Sequence, residues 1–165
     1  MQEVARKTRN EERLQECYLL FARKVKAVIS DMEESGFRPR IQDAYRNPAD
    51  QLKDFRRGTS TVEFGFHNVT GQDGSPESLA VDLIDDDNPL ASGRRYVITL
   101  AHIAAGHGLR SGIFFNSGSE ENRAELWEAI ANLNFDPKIK IGFDPTHLEA
   151  TGLSIDEAHN GKRPA

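Results

Sequence analysis

An aspartate stands inside an apolar run, Leu79-Ala80-Val81-Asp82-Leu83-Ile84. The run reads as a buried strand, and a carboxylate there is costly unless a cation or a metal compensates it. Two histidines in segments that read as strand ends could supply that partner. They are His67, in Glu63-Phe64-Gly65-Phe66-His67, and His147, in Gly142-Phe143-Asp144-Pro145-Thr146-His147-Leu148-Glu149. Two imidazoles and one carboxylate form a borderline ligand set suited to Zn2+, with a fourth position left for water, which is how a catalytic zinc site is composed. Asp144 lies three residues before His147. The Pro145 between them favours a tight turn that could bring both side chains to one cavity, making Asp144 the candidate general base. Glu149 either holds an imidazole in its metal-binding tautomer or is a plain solvated strand-end acid. Against this stands the commoner role of a lone histidine as a surface or core residue. Ligands scattered so widely also have no local geometry of the kind an H-E-x-x-H helix offers.

The other titratable clusters read as structural. His102 and His107 sit on or just after a helix end, where the dipole favours an imidazole, and His159 lies in an exposed tail. Asp85-Asp86-Asp87-Asn88 offers hard oxygen ligands for Ca2+ but lacks the glycine and terminal glutamate of an EF-hand loop, so a solvated turn is expected. Phe64, Phe66, Phe114, Phe115, Trp127 and Phe143 are expected in the core or a pocket wall.

The elements that must position these groups follow from periodicity. Across residues 10–35, Leu14, Cys17, Tyr18, Phe21, Val25, Val28, Ile29 and Met32 recur at steps of three and four, predicting one amphipathic helix stopped by Gly36. Arg38 to Tyr45 reads as a strand or extended segment. Asn47-Pro48 then opens a helix that closes at Gly58, with Leu52 and Phe55 facing inward. Residues 60–78 are rich in Gly, Ser, Thr, Asn and Asp and predict irregular backbone. After the Asp82 strand come a helix ending near Gly106, a strand at Ile113-Phe114-Phe115, a helix opened by Ser119 and a final strand from Lys138 to Phe143. The polar tail, residues 152–165, is expected on the surface or frayed. Helices and short strands alternate without a βαβ rhythm, so the expected class is α+β, with a small mixed or antiparallel sheet flanked by helices.

Composition bounds the function. The chain has 165 residues and fits one domain, read as an N-terminal helical segment (10–35), a metal-site core (36–149) and the tail. One cysteine, Cys17, allows no internal disulfide, so packing or a metal must hold the fold. Lys+Arg 21 against Asp+Glu 26 argues against a nucleic-acid binder with a broad basic face. No secretory h-region and no long apolar run are present, so a soluble chain made in the cytoplasm, without membrane insertion, is expected.

The ordered blocks resemble those of the M15 zinc peptidases of peptidoglycan, which include D-Ala-D-Ala carboxypeptidases and dipeptidases and the L-alanyl-D-glutamate endopeptidases of phage lysins. The likeness runs from about Gly36 to Glu149. His67 and Ser78-Leu79-Ala80-Val81-Asp82-Leu83 resemble the family's histidine and Ala-x-Asp run, and Asp144-Pro145-Thr146-His147-Leu148-Glu149 its late motif. Gly36-Phe37-Arg38-Pro39, Ala44-Tyr45-Arg46-Asn47-Pro48-Ala49-Asp50-Gln51 and Gly58-Thr59-Ser60 resemble its upstream stretch. The resemblance implies zinc held by His67, Asp82 and His147, Asp144 as general base, and Arg46 as a group for substrate carboxylates or carbonyls, a role that suits a guanidinium fork. It implies a stem-peptide endopeptidase of endolysin type, with a D-Ala-D-Ala carboxypeptidase or dipeptidase, or a non-catalytic zinc-stabilised peptide-binding module, as alternatives. It also implies a monomer that reaches the wall, in the periplasm, through a holin or a secretion system. Two departures stand out. Asp82 follows His67 by fifteen residues where the family has seven, so Asn68 to Glu77 must loop out, with Asp73 as a competing acid. Gly65 and Ser78 replace a family serine and glycine.

Overall fold

The computed structural model describes residues 1–165. Helices α1 (Glu3–Leu14) and α2 (Leu19–Glu34) lead into strand β1 (Pro39–Asp43) and helix α3 (Pro48–Arg56). Strand β2 (Ala80–Asp85), helix α4 (Arg94–Gly106), strand β3 (Arg110–Ser111), helix α5 (Glu120–Asn132), strand β4 (His147–Glu149) and helix α6 (Ile155–His159) follow. The strands form one antiparallel sheet in the order β1-β2-β4-β3, so this is a small α+β domain as expected. No helix is long and apolar enough to cross a membrane.

The period of two along β2 and β4 divides the sheet. Val81, Leu83 and Leu148 are fully buried in a core with Phe21, Val25 and Met32 of α2 and Val97, Leu100 and Ala104 of α4. Asp82, His147 and Glu149 take the alternate positions and stand on the opposite face. That alternation is why an acid is tolerated in an apolar strand.

The N-terminal helix differs from the sequence expectation: two helices replace one over residues 10–35, and the first begins at Glu3. The break occurs because the backbone between them is recruited by the chain just before β2. Tyr18 N donates to Ser78 O at 3.0 Å and Ser78 N to Glu16 O at 2.9 Å. Residues 3–9 carry no apolar stripe because α1 covers the free edge of β1 with polar side chains. Arg6 and Asn10 donate to Pro39 O, Arg9 to Ile41 O and Gln42 O, and Ile41 N donates to Asn10 Oδ1.

The expected caps of the later helices are present. Asn47 accepts from Ala49 N ahead of Pro48, and Ser119 accepts from Asn122 N. In α3, however, Leu52 and Phe55 are only half-buried, and the buried residue is Gln51. The strands expected at Ile113-Phe114-Phe115 and Lys138 to Phe143 do not form: the first is a short 3-10 turn (Gly112–Phe114) and the second irregular chain. The two segments still touch through Gly142 N to Ile113 O and Phe143 N to Phe115 O, but two bonds do not make a ladder, and β4 is the last strand. The tail is surface-exposed yet does not fray. Ser154 and Glu157 form a reciprocal capping box, and Arg163 reaches Glu77 at 2.6 Å and Thr70 O at 2.9 Å.

Candidate metal centre

His67 lies in a 3-10 turn (Phe66–Asn68) stitched to the end of β1: Arg46 N donates to His67 O and the Asn68 amide to Arg46 O. The eleven residues that separate this turn from β2 fold back as a small hairpin, with Thr70 bridging Pro76 and Gly71 N donating to Ser75 O. Leu79 N then donates to Phe66 O at 2.9 Å, so the excursion closes and His67 meets Asp82. The competing acid Asp73 points away: it is exposed and caps its own turn through Ser75.

Strand register brings in the remaining groups. Asp82 stands opposite His147 in the β2–β4 pair, and Asp43 opposite Asp82 in the β1–β2 pair. Asp82 Oδ1 is 3.1 Å from His147 Nδ1 and 3.5 Å from His67 Nε2, and the two ring nitrogens are 3.3 Å apart. Asp144 Oδ2 lies 3.9 Å from His147 Nδ1. Loop and strand are pressed together at Gly112, where a Cβ would run into the Asp144 carbonyl oxygen and come within 2.9 Å of His147 Cβ.

The tautomers are set by partners that can only accept. His67 Nδ1 faces the Ala44 carbonyl oxygen and His147 Nε2 the Glu149 carboxylate at 3.0 Å, so these nitrogens carry the hydrogens. The neutral rings therefore turn two lone pairs towards Asp82, and three acceptors converge with no donor among them. A divalent ion satisfies all three at once. A tetrahedron with bonds of about 2.0–2.1 Å has edges of about 3.3–3.4 Å, close to the three observed separations. The donor set thus fits a metal ion, and an acceptor on the far nitrogen of each ligating imidazole is the usual support of such sites.

Electrostatics point the same way. Without an ion, burial opposes a charged imidazole, but Asp82 and Glu149 overcome it and push His147 up to about 9. Burial likewise works against the Asp82 anion, yet the His147 and His67 rings outweigh it and hold that carboxyl far below its ordinary range. Asp144 is raised, first by burial and then by the charge of Asp82.

Arg46 sits at the same corner, its guanidinium donating to Asp43 Oδ2 at 2.7 Å and Gln51 Oε1 at 3.1 Å while remaining 38% exposed. His102 and His107 are tied to Ile130 O and Asp31 and stay apart from the cluster. His159 packs its ring on Phe64. Asp86 is not a solvated turn residue: it is buried against Arg40 at 2.7 Å and Arg38 at 3.4 Å. Of the aromatic residues expected inside, Phe66 is buried, whereas Phe143 is 73% and Trp127 51% exposed. Ala44 has no signature in sequence because its carbonyl is the functional atom. Gly112 and Gly142 carried one, as glycines beside apolar segments that mark close backbone approach.

A solved structure, that of the Serratia marcescens L-Ala D-Glu endopeptidase ChiX, is similar in fold, with a TM-score of 0.55 at 15% identity over 87% of this chain and 86% of that one. No protein-family model and no curated protein matches the sequence.

Proposed function

We propose that this chain is a zinc-dependent peptidase of the M15 type that hydrolyses an amide bond in the peptidoglycan stem peptide, the bond between L-Ala and D-Glu. The observation that carries the reading is the convergence of His67 Nε2, Asp82 Oδ1 and His147 Nδ1 at 3.1–3.5 Å, with the outer nitrogen of each ring facing an acceptor. The shared fold with an L-Ala D-Glu endopeptidase supports it and directs the choice of bond. A bound zinc supplies Lewis-acid polarisation of the substrate carbonyl and a lowered pKa for water.

The chain's own groups do the rest. Asp144, beside the cluster and with its proton affinity raised, takes the proton of the attacking water and returns it to the leaving amine. Glu149 and the Ala44 carbonyl hold the two imidazoles in the ligating tautomers. Arg46, anchored by Asp43 and Gln51 but half-open, orients a substrate carbonyl or carboxylate through its free N–H groups. As a wall enzyme the protein acts outside the cytoplasm after release or delivery.

The test is mass spectrometry of products from defined muropeptides, with zinc and with chelator. Cleavage between L-Ala and D-Glu that chelator stops is the expected result. Asp144→Asn should keep its metal and lose about 100- to 10,000-fold in kcat, the range of one general base. Release of D-Ala alone would move the activity to the carboxypeptidases, and unchanged cleavage by Asp144→Asn would remove that residue's role.

A further inference from the structure

Between β3 and α5 runs an open groove of about 480 Å³ lined by Arg110, Phe114, Phe115, Asn116, Arg123 and Trp127. The steps above use none of it, yet it adjoins the metal centre. The Phe115 ring is 5.6 Å from the His147 ring, and the Arg110 guanidinium reaches Glu149 at 3.4 Å.

One wall is aromatic. Trp127 stacks on Phe114 with centroids 4.3 Å apart and planes 26° from parallel, and half of the indole stays open. The open half of the indole, backed by the half-buried Phe114 ring, offers a flat apolar platform. The other feature is charge. Arg110 is 58% exposed and lies over Phe115 at 5.2 Å, while Arg123 is exposed and pairs with no carboxylate. No Asp or Glu lines the groove, although the chain as a whole carries a formal charge of -5. This local reversal of sign sits beside the centre rather than on a remote face. Asn116 turns the chain there with φ +53, a conformation that asparagine accepts more readily than most residues.

We propose that this groove is the subsite for a carboxylate of an acidic peptide, seated between Arg110 and Arg123 with the peptide's apolar flank on Trp127. Guanidinium forks match planar carboxylates, and the platform takes a chain with no charge on that side. The inference rests on the peptidase reading and deepens it: the carboxylate-bearing residues of the stem peptide next to the cut bond occupy the groove and set which amide reaches the centre.

The experiment compares the parent enzyme, loaded with zinc, with Arg123→Glu on a defined stem peptide and on the same peptide with its side carboxylates converted to amides. The exposed Arg123 side chain makes no hydrogen bond or ion pair within the chain, and melting temperature and metal content serve as checks that fold and centre survive. The parent should prefer the carboxylate form, and Arg123→Glu should cut that preference about tenfold through KM. The loss should shrink at high salt, which screens exposed charges. An equal preference in parent and variant overturns the subsite. So does an equal loss in Lys26→Glu, on the distant helix α2, because the effect would then be one of net charge. Turnover of neither peptide by the parent would remove the peptidase reading together with the groove. Turnover of both with no change in the variant removes the groove alone.

Discussion

Two carboxylates lie close together on one strand and its end, Asp82 half-buried and Asp86 buried, and they are treated in opposite ways. Asp86, just past β2, is met by the guanidiniums of Arg40 at 2.7 Å and Arg38 at 3.4 Å. A guanidinium does not give up its charge, and the Met1 amino group adds a third cation at 3.1 Å, so the acid is neutralised and ties the end of β2 to β1 and to the N-terminus. Asp82, within β2, is met instead by His67 and His147, whose charge is optional and whose remaining N–H groups are already given to Ala44 and Glu149. A permanent cation closes a site. Converging acceptors leave one open to a cation from outside, and that difference separates a structural acid from a candidate ligand more sharply than burial does.

The largest effect should appear when the two acids are exchanged for amides. Asp82→Asn, or His147→Ala, is expected to lose bound metal and all measurable turnover. Asp86→Asn is expected to keep its metal and to destabilise the fold by about 3 kcal/mol, as breaking one side of a buried ion pair does. Metal analysis with denaturant unfolding reads both quantities. Full metal content in Asp82→Asn would falsify the distinction, and so would loss of metal in Asp86→Asn.

Chelation should act next in size. At metal one hundredfold above its Kd the linkage is about 2.7 kcal/mol, a drop of about 5–10 °C in Tm for a chain of this size. The chelated protein should also acquire a pH dependence. The folded value of His147, about 9, lies above its ordinary 6.5, so the stability from its protonation is complete below 6.5 and is lost as pH rises through 9. A chelated protein whose Tm stays flat across the window, or no shift on chelation, would break the comparison.

The smallest effect belongs to Glu149→Gln. The amide oxygen still accepts from His147 Nε2 but carries no charge, so metal affinity should fall only about 10- to 100-fold. A competition titration against a chelating dye measures it. An unchanged affinity would show that Ala44-type carbonyl support, without charge, is enough for both rings.

Much of the frame was legible in the chain. Asn47-Pro48 and Ser119 announce their helices because caps are local, and the apolar run with one acid announces β2 because alternation sends Asp82 to the other face. Where tertiary partners decided the backbone, local pattern misled. The apolar stripe of residues 10–35 crosses a break made by Ser78, and α1 starts at Glu3 because polar side chains cover an edge strand. Ile113 to Phe115 and Lys138 to Phe143 look like strands by alternation but meet only at two backbone bonds. The tail reads as frayed by composition and is held by Arg163, whose partners Glu77 and Thr70 lie far back in the chain.

For the site itself, the residue types alone determined which chemistry was available: imidazole and carboxylate ligands, a second acid near His147, and no disulfide to substitute for a metal. Only the tertiary structure decided that these groups meet. The register of β2 against β4 sets Asp82 beside His147, the closed hairpin after the Phe66–Asn68 turn returns His67 to them, and the Ala44 carbonyl chooses which nitrogen of His67 faces inward. The same is true of the Arg110 and Arg123 groove, whose two cations are brought to one side of α5 by packing. The physical reason is one of range. Side-chain chemistry and capping are read within a few residues, whereas strand register and backbone carbonyl positions follow from contacts between distant segments that no local pattern encodes.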